Sequence, residues 1–129
     1  MKKQKEIIIP ILNDEYKVIV CWGSPEYVDK IAQSWFYEKG EIFLREENRA
    51  ATFDKFSCHP VIVLRKYPET PEEIGTVAHE AVHAINDIFK KINDTNLAGE
   101  VFAHCVGAVV RETIMSVGWK KRKIKPKLK

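Results

Sequence analysis

The spacing of the apolar residues changes once along this chain, and that change constrains the fold more than any other feature. Before Pro68, apolar residues stand mostly in short β-branched runs or alternate with polar residues, as they do in strands. From Thr70 onward they recur at intervals of three and four residues, as they do in amphipathic helices. A chain that is mainly sheet in its first half and helical in its second is an α+β protein.

The first half predicts at least three strands. Residues 7–12 and 16–21 are apolar runs, and residues 13–15 between them form a polar connection of hairpin length, so the two runs predict an antiparallel pair. Residues 50–56 alternate weakly, whereas Val61–Leu64 is a compact β-branched run. We therefore expect a mainly antiparallel sheet.

Three helices are predicted from their start signals and apolar stripes. Residues 24–40 begin with a serine N-cap and a proline and continue at helical spacing. Thr70 and Glu73 form a capping box that opens a helix running to Lys91. After a polar break, a second stripe extends over residues 102–118. We expect these last two helices to pack against the sheet.

The size of the chain suits one domain with a basic end. Its 129 residues and 45% hydrophobic content suffice for one modest core, which we place in residues 1–119. The total charge is +3 and residues 120–129 contribute +7, so the rest of the chain carries −4. The tail is either a solvated, disordered end or a contact for phosphates or an acidic partner. It has no aromatic residue to stack on bases, so we do not expect a nucleic-acid partner beyond the tail itself.

The composition also bears on location. No run approaches the roughly 18 apolar residues of a membrane-spanning helix, and the apolar run after the basic N-terminal residues is too short for a signal peptide. Cys21, Cys58 and Cys105 are scattered without paired spacing, which favours small buried side chains in a reducing compartment. We expect a cytoplasmic protein with no membrane partner.

The predicted second helix carries a motif with metal-ligand spacing. The motif is His79-Glu80-Ala81-Val82-His83. Residues four apart lie on the same face of a helix, so His79 and His83 can present two imidazole nitrogens to one metal ion. Glu80 lies beside that point, where it can take a proton from a metal-bound water and pass it to a leaving group. The pattern indicates zinc-dependent hydrolysis.

A catalytic zinc needs a third protein ligand. A glycine and a histidine three and six residues after His83 would complete a metzincin site, but Asn86 and Phe89 stand there. Glu100, near the start of the next helix, is our candidate for the third ligand, with a solvent-facing glutamate as the alternative.

Two further histidines need an interpretation. His104 shares a helix face with Glu100, and Gly107 beside it would permit close helix approach. His104 could orient a ligand, polarise a substrate oxyanion, replace Glu100 as the third ligand, or serve the structure alone. His59 is interpreted as a loop residue.

With Glu100 downstream, the motif resembles the gluzincin branch of the zinc metallopeptidases. The segment from residue 61 to residue 114 resembles small metallopeptidase-like proteins encoded by bacteriophages and prophages. The resemblance implies a small zincin-like domain in which His79, His83 and Glu100 hold zinc and Glu80 is the general base. It also implies a strand before the motif helix that binds extended substrate by edge pairing, and residues 61–65 are the matching segment.

Three functions follow from these observations. The leading hypothesis is a zinc metallopeptidase with a peptide or protein substrate, in which Glu80 is the base and His104 assists. The second is a binding or regulatory module that retains the zincin fold, with or without metal, but has no turnover, because the chain is small and its sequence shows no recognisable specificity pocket. The third is a nucleic-acid partner that contacts the basic tail.

Overall fold

A β-hairpin begins the part of the chain that the computed structural model describes, which comprises residues 4–36, 50–54, 59–92 and 99–118. Strand β1 (Lys5–Ile11) pairs antiparallel with β2 (Tyr16–Trp22). Between them Leu12, Asn13 and Asp14 all have positive φ, between 53 and 70°, a conformation that asparagine and aspartate tolerate better than most residues. The predicted hairpin is confirmed.

The hairpin belongs to a four-stranded mixed sheet with the order β1-β2-β4-β3. Strand β3 is Ala50–Phe53 and strand β4 is Val61–Leu64. β4 runs parallel to β2 and antiparallel to β3. Two of the three pairings are therefore antiparallel, as expected. The third is parallel, and the long connection that a parallel pair needs includes helix α1 (Pro25–Trp35) and β3.

The expectation that residues 61–65 form an edge strand is wrong. Val61–Leu64 lies between β2 and β3, and all four of its side chains are buried. The edge next to it is β3, whose four residues are half-buried. A strand with neighbours on both sides and helices over both faces has no polar positions, and that is why this run is wholly apolar.

Helices cover both faces of the sheet. On one face, Val28 and Ala32 of α1 pack on Ile19, Val61 and other alternate residues of the central strands. On the other face, the larger core combines strand residues such as Trp22 and Ile62 with helix α2 (Pro71–Lys91) and helix α3 (Glu100–Ser116). The structure is thus α+β with three layers.

The predicted helix ends are largely confirmed. Ser24 caps α1 by accepting a hydrogen bond from the backbone N–H of Tyr27 at 3.2 Å. Thr70 and Glu73 form the reciprocal capping box of α2. α3 ends beside Gly118, which has a φ of 75°. α1 ends at Trp35, and residues 37–40, where we expected its last turn, lie outside the described residues.

Gly107 does not permit close helix approach, contrary to expectation. It is exposed on α3, and a Cβ added there would meet no atom of the described residues within 4 Å. Contact between α2 and α3 is made instead by larger side chains, among them Phe89 and Phe102, whose ring centroids are 5.3 Å apart. The helix pair therefore packs through these side chains and without a contribution from Gly107.

Two cysteines behave as small buried side chains. Cys21 is fully buried, and burial, with a smaller effect of the Glu6 carboxylate, raises the pKa of its thiol to about 12. Cys105 is 7% exposed, and burial raises the pKa of its thiol too. Cys58 and the basic tail, residues 120–129, lie outside the described residues. None of the helices in the described ranges is long and apolar enough to cross a membrane.

Candidate metal centre

The two motif histidines meet on the solvent side of α2. His79 and His83 are both exposed, because they lie opposite the buried stripe that includes Val77, Ala81 and Ala84. Their Nε2 atoms are 3.2 Å apart, and their rings are nearly perpendicular, with centroids 4.9 Å apart. The helical spacing thus brings both nitrogens to one point, as predicted.

This separation fits two ligands of one zinc ion. Nitrogens about 2.0–2.1 Å from a tetrahedral zinc lie about 3.3 Å from each other. The same 3.2 Å distance also suits a hydrogen bond between a protonated and an unprotonated ring nitrogen. The distance alone therefore fits both a shared metal ion and a hydrogen bond between the two rings.

Glu80 lies in a different environment from the histidines beside it. Glu80 is only 8% exposed, and its side chain faces strand β3. The hydroxyl of Thr52 donates a 2.6 Å hydrogen bond to Glu80 Oε1 and lies 3.2 Å from the Glu80 carbonyl oxygen. A buried carboxylate needs such a donor, because leaving it unpaired would cost a few kcal/mol.

A cavity of about 350 Å³ opens beside this carboxylate, between β3 and α2, and His83 also lines it. Farther along its wall, Asp87 forms an ion pair with Lys91 at 2.8 Å. Burial raises the pKa of Asp87 above its usual value; Lys91 opposes that rise and the carboxylate of Asp54 adds to it. The cavity therefore joins the motif to a second, partly buried group of charges.

The predicted third ligand lies apart from the histidine pair. The side chain of Glu100 is 94% exposed and that of His104 is 83% exposed, and their nearest atoms are 4.0 Å from each other. Within the described ranges, no group of three or more histidine, cysteine, aspartate and glutamate residues is placed to hold a metal ion. The roles of Glu100 and His104 stay predictions.

His59 has a structural environment. Its Nδ1 accepts a hydrogen bond from the backbone N–H of Lys17 at 3.1 Å, and its ring contacts Tyr16 and Trp35 edge-on. Burial, helped by the charges of Lys17 and Lys91, lowers the pKa of its imidazole. These contacts agree with the interpretation of His59 as a loop residue outside the motif.

Thr52 belongs to the site although no motif in the sequence indicates it. Its contact with Glu80 depends on the pairing of β3 with β4, in which Thr52 stands opposite Ile62. Ile62 points toward α2 as part of the larger core, so Thr52 does too. The alternation within residues 50–53 indicates a strand, but it does not indicate that this strand pairs with β4 and lies next to α2.

Known proteins add no further constraint on this site. No protein-family model matches the sequence, and neither the curated proteins nor the solved structures contain a significant match.

Proposed function

We propose that this protein is a zinc-dependent hydrolase, most specifically a cytoplasmic metallopeptidase. The observation that carries the proposal is the 3.2 Å separation of the His79 and His83 Nε2 atoms, together with the cavity that both His83 and Glu80 line. A pair of exposed imidazoles that share a point is a zinc-ligand arrangement, and a carboxylate beside it is the general base that hydrolysis requires.

Each residue of the site has a proposed role that follows from its position. His79 and His83 would hold zinc, and Glu100 or His104 would supply a further ligand from α3. When bound, zinc supplies Lewis-acid polarisation of a scissile carbonyl and makes water a better nucleophile near neutral pH. Glu80 takes the proton of the attacking water and returns it to the leaving nitrogen. The cavity between β3 and α2 gives Glu80 access to solvent and substrate.

The surface next to Glu80 and the cavity could bind an extended peptide. Strand β3 is the edge of the sheet within the described residues, and its outer backbone groups point away from β4. A peptide that paired with this edge would pass beside the cavity and Glu80, since Thr52 belongs to both. We therefore transfer the substrate-binding role from residues 61–65 to Ala50–Phe53.

One observation favours the second candidate function, a binding or regulatory module that retains the fold without turnover. Glu100 is almost fully exposed, and no third ligand from the described ranges joins the histidine pair. A two-histidine site binds zinc weakly and leaves too few protein ligands for a stable catalytic centre. Metal stoichiometry and turnover, measured on the same preparation, separate the two candidates.

The test is to load the purified protein with zinc, measure bound metal, and assay cleavage of a broad peptide library. We expect one zinc per chain, lost in His79→Ala and His83→Ala, and cleavage that disappears in Glu80→Gln while zinc is kept. Glu72→Gln is the matched control, because it removes a carboxylate two turns earlier on the same helix and leaves the motif intact.

The outcomes are distinct. No stoichiometric zinc under zinc-replete conditions contradicts the metal site. Stoichiometric zinc without Glu80-dependent cleavage supports the binding module instead. Cleavage that survives in Glu80→Gln contradicts only the assignment of the base.

A further inference from the structure

The geometry points to Thr52 as a positioning residue that holds the Glu80 carboxylate in its orientation for proton transfer; this inference rests on the proposed hydrolase. Thr52 lies on β3, whereas the motif lies on α2. Among the described residues, Thr52 forms no hydrogen bond with either motif histidine. Its hydroxyl nevertheless makes the shortest polar contact of Glu80, 2.6 Å to Oε1.

The contact follows from the architecture of the sheet. Thr52 pairs with Ile62 of β4, and both side chains point toward α2. Glu80 is the motif residue that reaches this strand, since its carboxylate accepts the Thr52 hydrogen bond while His79 and His83 are exposed. Strand register and helix phase together place hydroxyl and carboxylate opposite each other.

Of the two carboxylate oxygens of Glu80, the part of the chain that the structure describes engages one. Among the described residues, Oε1 accepts the Thr52 hydrogen bond, and no hydrogen bond occupies Oε2. A hydroxyl has one proton to donate, so the Thr52 hydrogen bond holds Oε1 and leaves Oε2 for the exchange of a proton with water. Rotation of Glu80 away from the cavity would break this bond inside a largely buried environment.

The experiment compares three variants of the zinc-loaded protein with the parent. Thr52→Val removes the hydroxyl and keeps a β-branched strand residue of nearly the same shape. Thr52→Ser keeps the hydroxyl. Thr76→Val is the control, because its hydroxyl donates to the Glu72 carbonyl, on the α2 turn before the motif. Bound zinc, the melting temperature, kcat and KM are measured for each.

We expect Thr52→Val to keep its zinc and its KM within about twofold and to lose kcat by about ten- to a hundredfold, the factor that matches a lost hydrogen bond to a charged group. Thr52→Ser should restore most of kcat, and Thr76→Val should leave it unchanged. If Thr52 had a merely structural role, Thr52→Val would lower the zinc content or the melting temperature. Thr52→Ser would then not restore kcat on its own.

The outcomes distinguish this inference from the proposed function. If the parent cleaves peptides in a Glu80-dependent way but Thr52→Val is equally fast, the positioning role is overturned and the hydrolase stands. If the parent binds zinc and cleaves nothing, the positioning role of Thr52 and the proposed hydrolase function are both contradicted. Should Thr52→Val fail to fold, Thr52→Ala replaces it, since alanine already occupies the two preceding positions of β3.

Discussion

Consecutive residues of the motif have opposite environments, and that contrast gives each residue its chemistry. One step along a helix turns a side chain by about 100°. His79 therefore reaches solvent, where a neutral imidazole can exchange a metal ion, while Glu80 turns into the flank against β3. Val82, 44% exposed, lies on the solvent side with the histidines.

Glu73 allows a test of how a single carboxyl stabilises α2. Burial works against its charge, but hydrogen bonds from Lys66 and from the backbone N–H groups of Glu69 and Thr70 outweigh burial, so the pKa of Glu73 lies below its usual value. A lowered folded-state pKa means that the stabilisation is present above pH about 4.5, the ordinary value, and is lost as pH falls through the folded-state value.

We expect Glu73→Gln to lower the free energy of unfolding at pH 7 by about 1 kcal/mol, with little of it from the exposed Lys66. Urea titrations from pH 7 to pH 3 should show this difference shrink toward zero in acid. Thr70→Ala is the control: it removes the uncharged hydroxyl cap, so its cost should persist across the pH range. A Glu73→Gln difference that stays constant from pH 7 to pH 3 would contradict the assignment.

At the scale of elements, local signals predicted what each segment becomes but not its neighbours. The hairpin and the two capped helices were predictable because their signals, a polar connection and a serine or threonine before proline, act within a few residues. The position of β4 depends on contacts with β2 and β3, far apart in sequence. Its four consecutive apolar residues indicated a strand but not its place in the sheet, and the edge role came only from the family resemblance.

Helix α3 contains a glycine that we expect to be replaceable. Gly107→Ala should raise the free energy of unfolding by about 0.5–1 kcal/mol, because alanine restricts the unfolded chain and its Cβ enters open space. Gly23→Ala is the opposite case. Its φ is +148°, and a Cβ would lie 2.5 Å from Cβ of Gln4 and 2.8 Å from the ring of Tyr27, so stability should fall. Denaturant unfolding of both variants checks the pair; a Gly107→Ala loss would indicate that this face of α3 packs against something.

At the scale of the molecule, the site divides into a part that one helix determines and a part that depends on how helices and sheet meet. The histidine pair and Glu80 needed only the helical repeat, so they were predictable from five residues. Thr52 needed the strand order, and the third ligand needs the placement of α3 relative to the exposed face of α2. The sequence of α3 does not predict how α3 is placed relative to α2. Glu100 and His104 are four residues apart, as His79 and His83 are, and this spacing shows only that each pair shares one face of its own helix.

Zinc should stabilise the whole fold if it binds the native histidine pair. A ligand at a hundred times its dissociation constant adds about 2.7 kcal/mol to the free energy of unfolding, which for a chain of this size raises the melting temperature by about 10 °C. We expect that rise in thermal unfolding with zinc, its reversal by a chelator, and its loss in His83→Ala. Glu100→Gln and His104→Ala, melted in parallel, identify the third ligand, since only the variant that removes it should lose most of the rise. Equal rises in both variants would mean that neither side chain of α3 reaches the metal.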